Sequence, residues 1–368
     1  MAAAWAEEAP RVLGPPVTVF DWATARCEDW DIPDTPTRAW RGWDGMVHVV
    51  AGSERSRAST GSGLGLLARD CKVLYRGAGA NDPAAYDDRV WLHATYAAGA
   101  RVIALGHEEY HGHLRRERCP TGGYAQCWRN AIVELESNDD AGGFEREGTR
   151  VVAALPYRYS GDAGHRTGYF NPSNILRLGD DLYVFVMAEQ YRAQRRGPCL
   201  LRRPIGGGAA DWRAWDGAGF NVRFIDPYRE DMADPAGHVC APVGNLQSTI
   251  SSVVESTATG RYLAVTSATR TGPEGVARSG IYWMSSADLL DWTEPALLWQ
   301  VPLLWRRDCA APAVYAYPSL LDPDSTSPNF ETVDESFWLY IVEIPLRKDC
   351  AVGAERDLVR LLVSWPEP

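Results

Sequence analysis

No stretch of this 368-residue chain approaches the roughly 18 consecutive apolar residues that a bilayer-spanning helix needs, so a membrane-embedded protein is excluded. Positive charge is scarce as well: 37 Lys and Arg stand against 48 Asp and Glu, a formal net charge of -11. A protein that tracks a phosphate backbone needs a basic face, which argues against a nucleic-acid partner. Other polyanions are disfavoured too, except where local arginine clusters override the mean. No Cys-x-x-Cys pair occurs, which removes the zinc-ribbon reading. The segment Met1–Glu8 lacks the basic and apolar regions of a signal peptide and reads as a mature N-terminus behind an added Met.

What is abundant is aromatic and turn-forming: 15 Trp, 16 Tyr, 34 Gly and 24 Pro. That composition describes many short strands joined by tight turns. The length alone suggests two domains at roughly 150 residues each, but large all-β folds exceed that as one unit. We expect a single domain over 1–368, with 1–16 a flexible N-terminal segment. The eight cysteines are scattered through loop-like contexts and permit on the order of a hundred pairings, with disulfides, buried thiols and metal ligands all open. One pair is predicted: the turn Pro120-Thr121-Gly122-Gly123-Tyr124 folds the chain back so that Cys119 and Cys127 come within bridging distance. Such a bridge requires an oxidising compartment, so the protein is expected to be secreted or periplasmic.

From about residue 36 one unit recurs, a strand, a tight turn and a second strand rich in Val, Tyr and Leu. Five copies can be read: Thr37–Trp40 with Met46–Ala51, Val90–Tyr96 with Arg101–Gly106, Asn174–Leu178 with Leu182–Ala188, Thr249–Glu255 with Arg261–Thr266, and Ala316–Leu321 with Phe337–Glu343. Further strand candidates between them bring the total to about four strands and roughly 70 residues per unit, which is the pattern of a five-bladed β-propeller. Val17–Phe20 is expected to pair with the last blade and close the ring. A β-sandwich with long insertions is the alternative.

Antiparallel neighbours reverse direction, so the start of each innermost strand and the end of the second lie on one face. Those ends carry Asp34, Arg38, Glu54, His107, Glu108, Glu109, Tyr110, His111, Asn171, Asn174, Glu189, Gln247, Arg270, Tyr315, Tyr317 and Glu343. His107 and His111 on one strand stand about 13 Å apart, too far to share a zinc ion, so neither metal nor cofactor is expected. Trp40, Trp128, Tyr110 and Tyr317 are candidate platforms for a sugar ring.

Two segments carry a family resemblance. Ser137-Asn138-Asp139-Asp140-Ala141-Gly142-Gly143-Phe144 resembles the Asp-box turn of sialidase-like propellers, and Ser286-Ala287-Asp288-Leu289-Leu290-Asp291-Trp292 resembles a turn of the arabinanase and β-fructosidase propellers. Ile32-Pro33-Asp34-Thr35-Pro36-Thr37-Arg38 is similar to the first-blade segment where those five-bladed glycosidases place a base or nucleophile, which falls on Asp34. Arg38 with Ala51-Gly52-Ser53-Glu54-Arg55 resembles the sialidase strand whose arginine grips a carboxylate. Where the family usually has Asp-Pro in blade three, this chain has Asn171-Pro172, and Gln247 stands where the acid Glu is expected. The resemblance therefore implies a glycoside hydrolase with Asp34 and a displaced acid, Glu109 or Glu189, as the catalytic carboxyls. Arg38, Glu54, His107, Tyr110, His111, Trp128, Asn171, Asn174 and Tyr317 would bind the carbohydrate. Without a displaced acid the site binds and does not cleave, and a lyase using Tyr110 and His111 is a third reading.

Overall fold

Each repeat folds as its pattern dictates, two extended runs joined at a residue free to take positive φ. Gly99 (φ 68°) and Gly260 (φ 65°) close two of the innermost hairpins, where a Cβ would be strained. The computed structural model describes residues 9–366 except 121, 140, 141, 232 and 245. The candidate Asp-box turn includes Asp140 and Ala141, which lie outside the described residues.

The strands assemble into five antiparallel four-stranded blades. From the centre outwards, blade one is Arg38–Arg41, Val47–Val50, Ala58–Gly63 and Leu66–Arg69. Blade two is Arg89–Ala98, Arg101–His111, Trp128–Ser137 and Val151–Ala153. Blade three is Leu176–Leu178, Asp181–Ala188, Gly197–Pro204 and Arg213–Ala214. Blade four is Ser252–Ser256, Arg261–Thr271, Ala277–Ser286 and Ala296–Gln300. Blade five takes Ala313–Leu321, Ser336–Pro345 and Asp357–Ser364 from the end of the chain and its outer strand, Arg11–Phe20, from the beginning.

Within the described part of the segment expected to be flexible, this pairing is a correction, because residues 11–13 already pair with Leu362–Ser364. Gly14-Pro15-Pro16, the end of that segment, forms the irregularity between Leu13 and Val17 in an outer strand. An outer strand tolerates proline because one of its edges needs no N–H donors.

The core is distributed between blades. Five apolar clusters each bridge one pair of neighbours: Val50 with Leu92, Leu105 with Val184, Phe185 with Val253, Leu263 with Leu339, and Tyr340 with Val49. The fifth joins the last blade to the first, so the ring closes in packing as well as in pairing. On the face opposite the strand ends that concern function, residues 322–335 cross beneath the centre. Asn329 binds the backbone of Ala97, Pro328 accepts from Arg41 N, Glu331 accepts from Arg177 N, and Thr332–Val333 pairs with Glu255–Ser256. This segment touches all four other blades and floors the propeller.

Four disulfides tie the periphery: Cys27–Cys71, Cys119–Cys127, Cys199–Cys240 and Cys309–Cys350. The predicted Cys119–Cys127 bridge is present, with Cα atoms 5.8 Å apart. Among the described residues no helix is long and apolar enough to cross a membrane.

Candidate active site

The second strand of blade two ends in His107-Glu108-Glu109-Tyr110-His111, and strand alternation divides the five residues between two faces. His107, Glu109 and His111 share one face. Glu109 sits between the two imidazoles: its Oε2 is 2.8 Å from His111 Nε2 and its Oε1 is 3.7 Å from His107 Nδ1. The tautomer of His107 follows from its far side. Asn130 donates its amide to Thr167 O at 2.9 Å, so its Oδ1, 2.8 Å from His107 Nε2, must accept. His107 Nε2 therefore carries the hydrogen, and in the neutral ring Nδ1 presents a lone pair to Glu109.

Electrostatics agrees. Burial pushes the Glu109 carboxyl up to about 7, with the negative charge of Asp34 adding to the rise and His107, Arg166 and Arg89 opposing it. Burial lowers His107, and burial followed by the charge of Arg89 lowers His111 to about 4. His111 is thus neutral near pH 6, burial favours the neutral ring of His107 as well, and Glu109 holds a proton there.

Asp34 lies just before the innermost strand of blade one and is held oppositely, by donors. Tyr317 Oη donates to its Oδ1 at 3.0 Å, Trp91 Nε1 donates to its Oδ2 at 3.2 Å, and Arg356 forms an ion pair with Oδ1. Tyr317 reaches it because the inner strand of blade five bulges there, with φ of 61° at Tyr317. Asp34 and Glu109 are close enough for the charge of one to shift the other, yet one is wrapped in donors and the other pressed between neutral rings. A carboxyl raised by burial beside a second one held by hydrogen-bond donors gives two chemically distinct groups, as acid and base catalysis requires.

Around the pair stands an aromatic wall. Tyr124 stacks on Trp128 (centroids 4.9 Å apart, planes at 26°), both meet His111 edge-on, and the Arg166 guanidinium lies 4.9 Å from the Trp128 ring and 4.2 Å from Phe170. Tyr124 lies inside the Cys119–Cys127 loop. Replacing both cysteines by serine is expected to cost about 2 kcal/mol of stability and to raise KM several-fold by loosening Tyr124. Thermal melts and initial rates of the double variant check this.

Several predicted residues lie elsewhere. Arg38 is a correction: it is 2 % exposed and its guanidinium is consumed by the propeller axis, leaving nothing to grip a ligand. Asn174 is another, since its side chain bonds Val253 N (2.8 Å) and Val253 O (2.7 Å) and staples blade three to blade four. Tyr110 points to the opposite face of its strand, is buried, and donates to Asn81 O at 2.9 Å, so neither sugar stacking nor lyase chemistry can use it. Trp40 is buried against His48 between blades. Glu54 pairs with Arg89 at 3.3 Å beside the site, and Asn171 is half-buried at φ 49° next to Phe170. Glu189 has both oxygens engaged, by Arg166 Nε (3.1 Å) and Arg196 Nε (3.1 Å), and is poorly placed to donate a proton. Sequence reasoning missed Trp91, Tyr124, Arg89, Arg166 and Arg356.

No protein-family model matches the sequence, and no curated protein matches it significantly. Solved structures do match in shape. An α-L-arabinanase from Cellvibrio cellulosa complexed with arabinohexaose is similar over 91% of this chain and 93% of its own, with TM-score 0.50 and 10% identity. An α-L-arabinofuranosidase from Lactobacillus brevis matches over 92% and 93%, with TM-score 0.51 and 12% identity. The fold is the five-bladed β-propeller of these enzymes. An endo-1,5-α-L-arabinanase from Thermotoga petrophila matches over 90% of this chain and 71% of its own, with TM-score 0.50 and 12% identity. At such identities the likeness establishes the propeller, and the chemistry rests on the site itself.

Proposed function

We propose that the chain is a secreted or periplasmic glycoside hydrolase that cleaves a polysaccharide, with Glu109 as general acid and Asp34 as base or nucleophile. The carrying observation is the carboxyl pair: a Glu109 buried against two histidines, its carboxyl pushed up to about 7, within electrostatic reach of an Asp34 bound by Arg356, Tyr317 and Trp91. Glycosidic cleavage needs one carboxyl to protonate the leaving oxygen and a second to attack or to activate water. Tyr124 and Trp128 offer the aromatic surface on which a sugar ring packs, and four disulfides suit an oxidising compartment. The arabinohexaose bound to one structural neighbour makes pentose polymers the first substrates to try.

The test is a panel of arabinan, arabinoxylan, xylan and neutral β-glucans assayed for new reducing ends. Saturable binding with no product from any glycan would replace hydrolysis by a binding function.

A pH profile follows with a definite sign. Glu109 must be protonated to act, and its carboxyl is pushed up to about 7. Raising the pH through that value ionises it, so kcat/KM is expected to fall about tenfold per pH unit above about 7. An alkaline limb absent between pH 6 and 9 would exclude Glu109 as the acid.

A further inference from the structure

At the edge of blade three lies a concavity of about 400 Å³ lined by His165, Glu189, Gln190, Tyr191, Arg192 and Arg196. Its charge is opposite to that of the molecule. Glu189 is the one carboxylate in the lining among the described residues, and Arg166 and Arg196 already hold both of its oxygens. Arg196 is fixed further by Gln247 O at 2.9 Å. Arg192 has no such partner. Among the described residues its guanidinium forms no hydrogen bond or ion pair, and it lies 4.8 Å from the centre of the Tyr157 ring and 5.3 Å from that of Tyr191.

An exposed arginine is ordinarily a solvated surface group. This one is held by two aromatic faces, which leaves the N–H edge of the guanidinium free while its plane is fixed. With Arg166, three guanidiniums surround one carboxylate and form a cationic spot on a chain of net charge -11. Arg166 is the link to the carboxyl pair: it bonds Glu189 on one side, covers Phe170 and Trp128 on the other, and its charge reaches Glu109.

We propose that this cleft is a subsite for an anionic sugar, a uronic acid whose carboxylate is received by Arg192 beside Arg196. The planar guanidinium fork fits a planar carboxylate with two parallel hydrogen bonds. The inference rests on the glycan-directed reading of the face and adds the class of substrate, a uronate-bearing chain whose acidic residue sits next to the bond being cut.

The experiment compares a glucuronate-bearing xylo-oligosaccharide, the same oligosaccharide after carboxyl reduction, and a sulfated neutral analogue. Binding is measured by calorimetry on the disulfide-intact protein. The uronate is expected to bind at least tenfold more tightly than its reduced form, the preference to shrink with added salt, and Arg192→Gln to abolish it. Equal binding of uronate and reduced sugar, a preference that survives Arg192→Gln, or equally tight binding of the sulfated analogue would each overturn the proposal. The two readings fail separately. Cleavage of neutral arabinan with no uronate preference removes only the subsite, whereas uronate binding through Arg192 with no product from any glycan removes only the hydrolase.

Discussion

Glu109→Gln is expected to lower turnover on a natural glycan by roughly 10³-fold or more, equivalent to about 4 kcal/mol of transition-state stabilisation. The amide keeps the shape of the carboxyl and its contact with His111, so only the transferable proton is lost. Asp34→Asn should cost as much for a different reason: it removes the negative charge that Arg356 and two hydrogen-bond donors are arranged to hold. Leaving-group dependence separates the two roles. A glycoside with a dinitrophenolate leaving group needs no proton, so Glu109→Gln should recover most of its activity on it while Asp34→Asn should not. Circular dichroism and melting temperature should show both variants folded. If Glu109→Gln retains natural-substrate turnover within tenfold of the parent, the pair is wrongly assigned.

The propeller was legible in the chain because its determinants are local. Alternation within hairpins and a glycine where φ turns positive recur in most blades, and the Cys119–Cys127 turn is read from seven intervening residues. Asp34 and Glu109 were found by the same logic, as polar residues at strand ends that topology gathers on one face. Tyr110 was misread although the signal was present: residues 107, 109 and 111 share a side of a strand, so 110 cannot join them. Trp91, Tyr317 and Arg356 were a different problem. Asp34 lies 57, 283 and 322 residues from these partners, and no local pattern marks which donor will reach it across the ring. Tyr317 was named as a sugar platform, whereas the bulge that turns its hydroxyl toward Asp34 makes it a positioning residue. Arg356 sits on a loop whose sequence resembles any other polar loop.

Arg38 is the residue on which sequence and structure differ most, and its removal carries the largest expected loss of stability. An arginine at a strand end on a functional face reads as a ligand grip, because full burial of arginine is rare. Here its five hydrogen bonds collect the whole ring. Nε donates to His93 O (2.7 Å) in blade two. One terminal nitrogen donates to Thr37 O (3.1 Å) in blade one and Ser319 Oγ (3.0 Å) in blade five. The other donates to Pro172 O (3.3 Å) in blade three and Ser251 O (2.7 Å) in blade four. Burial pulls its pKa down only to about 9, so the group remains a cation at neutral pH. Four carbonyls converging on the axis would repel one another without it. Arg38→Met fills similar volume and leaves those acceptors buried and unpaired, at about 1–3 kcal/mol for each one that water cannot reach. The expected total is about 3–5 kcal/mol, read as a fall in melting temperature on the order of 10 °C. Arg38→Lys keeps the charge but has three donors on a single nitrogen in place of a planar fork that reaches five acceptors, so it should recover less than half of the loss. A variant that melts with the parent while its KM rises sharply would return Arg38 to the binding surface and contradict the hub assigned to it here.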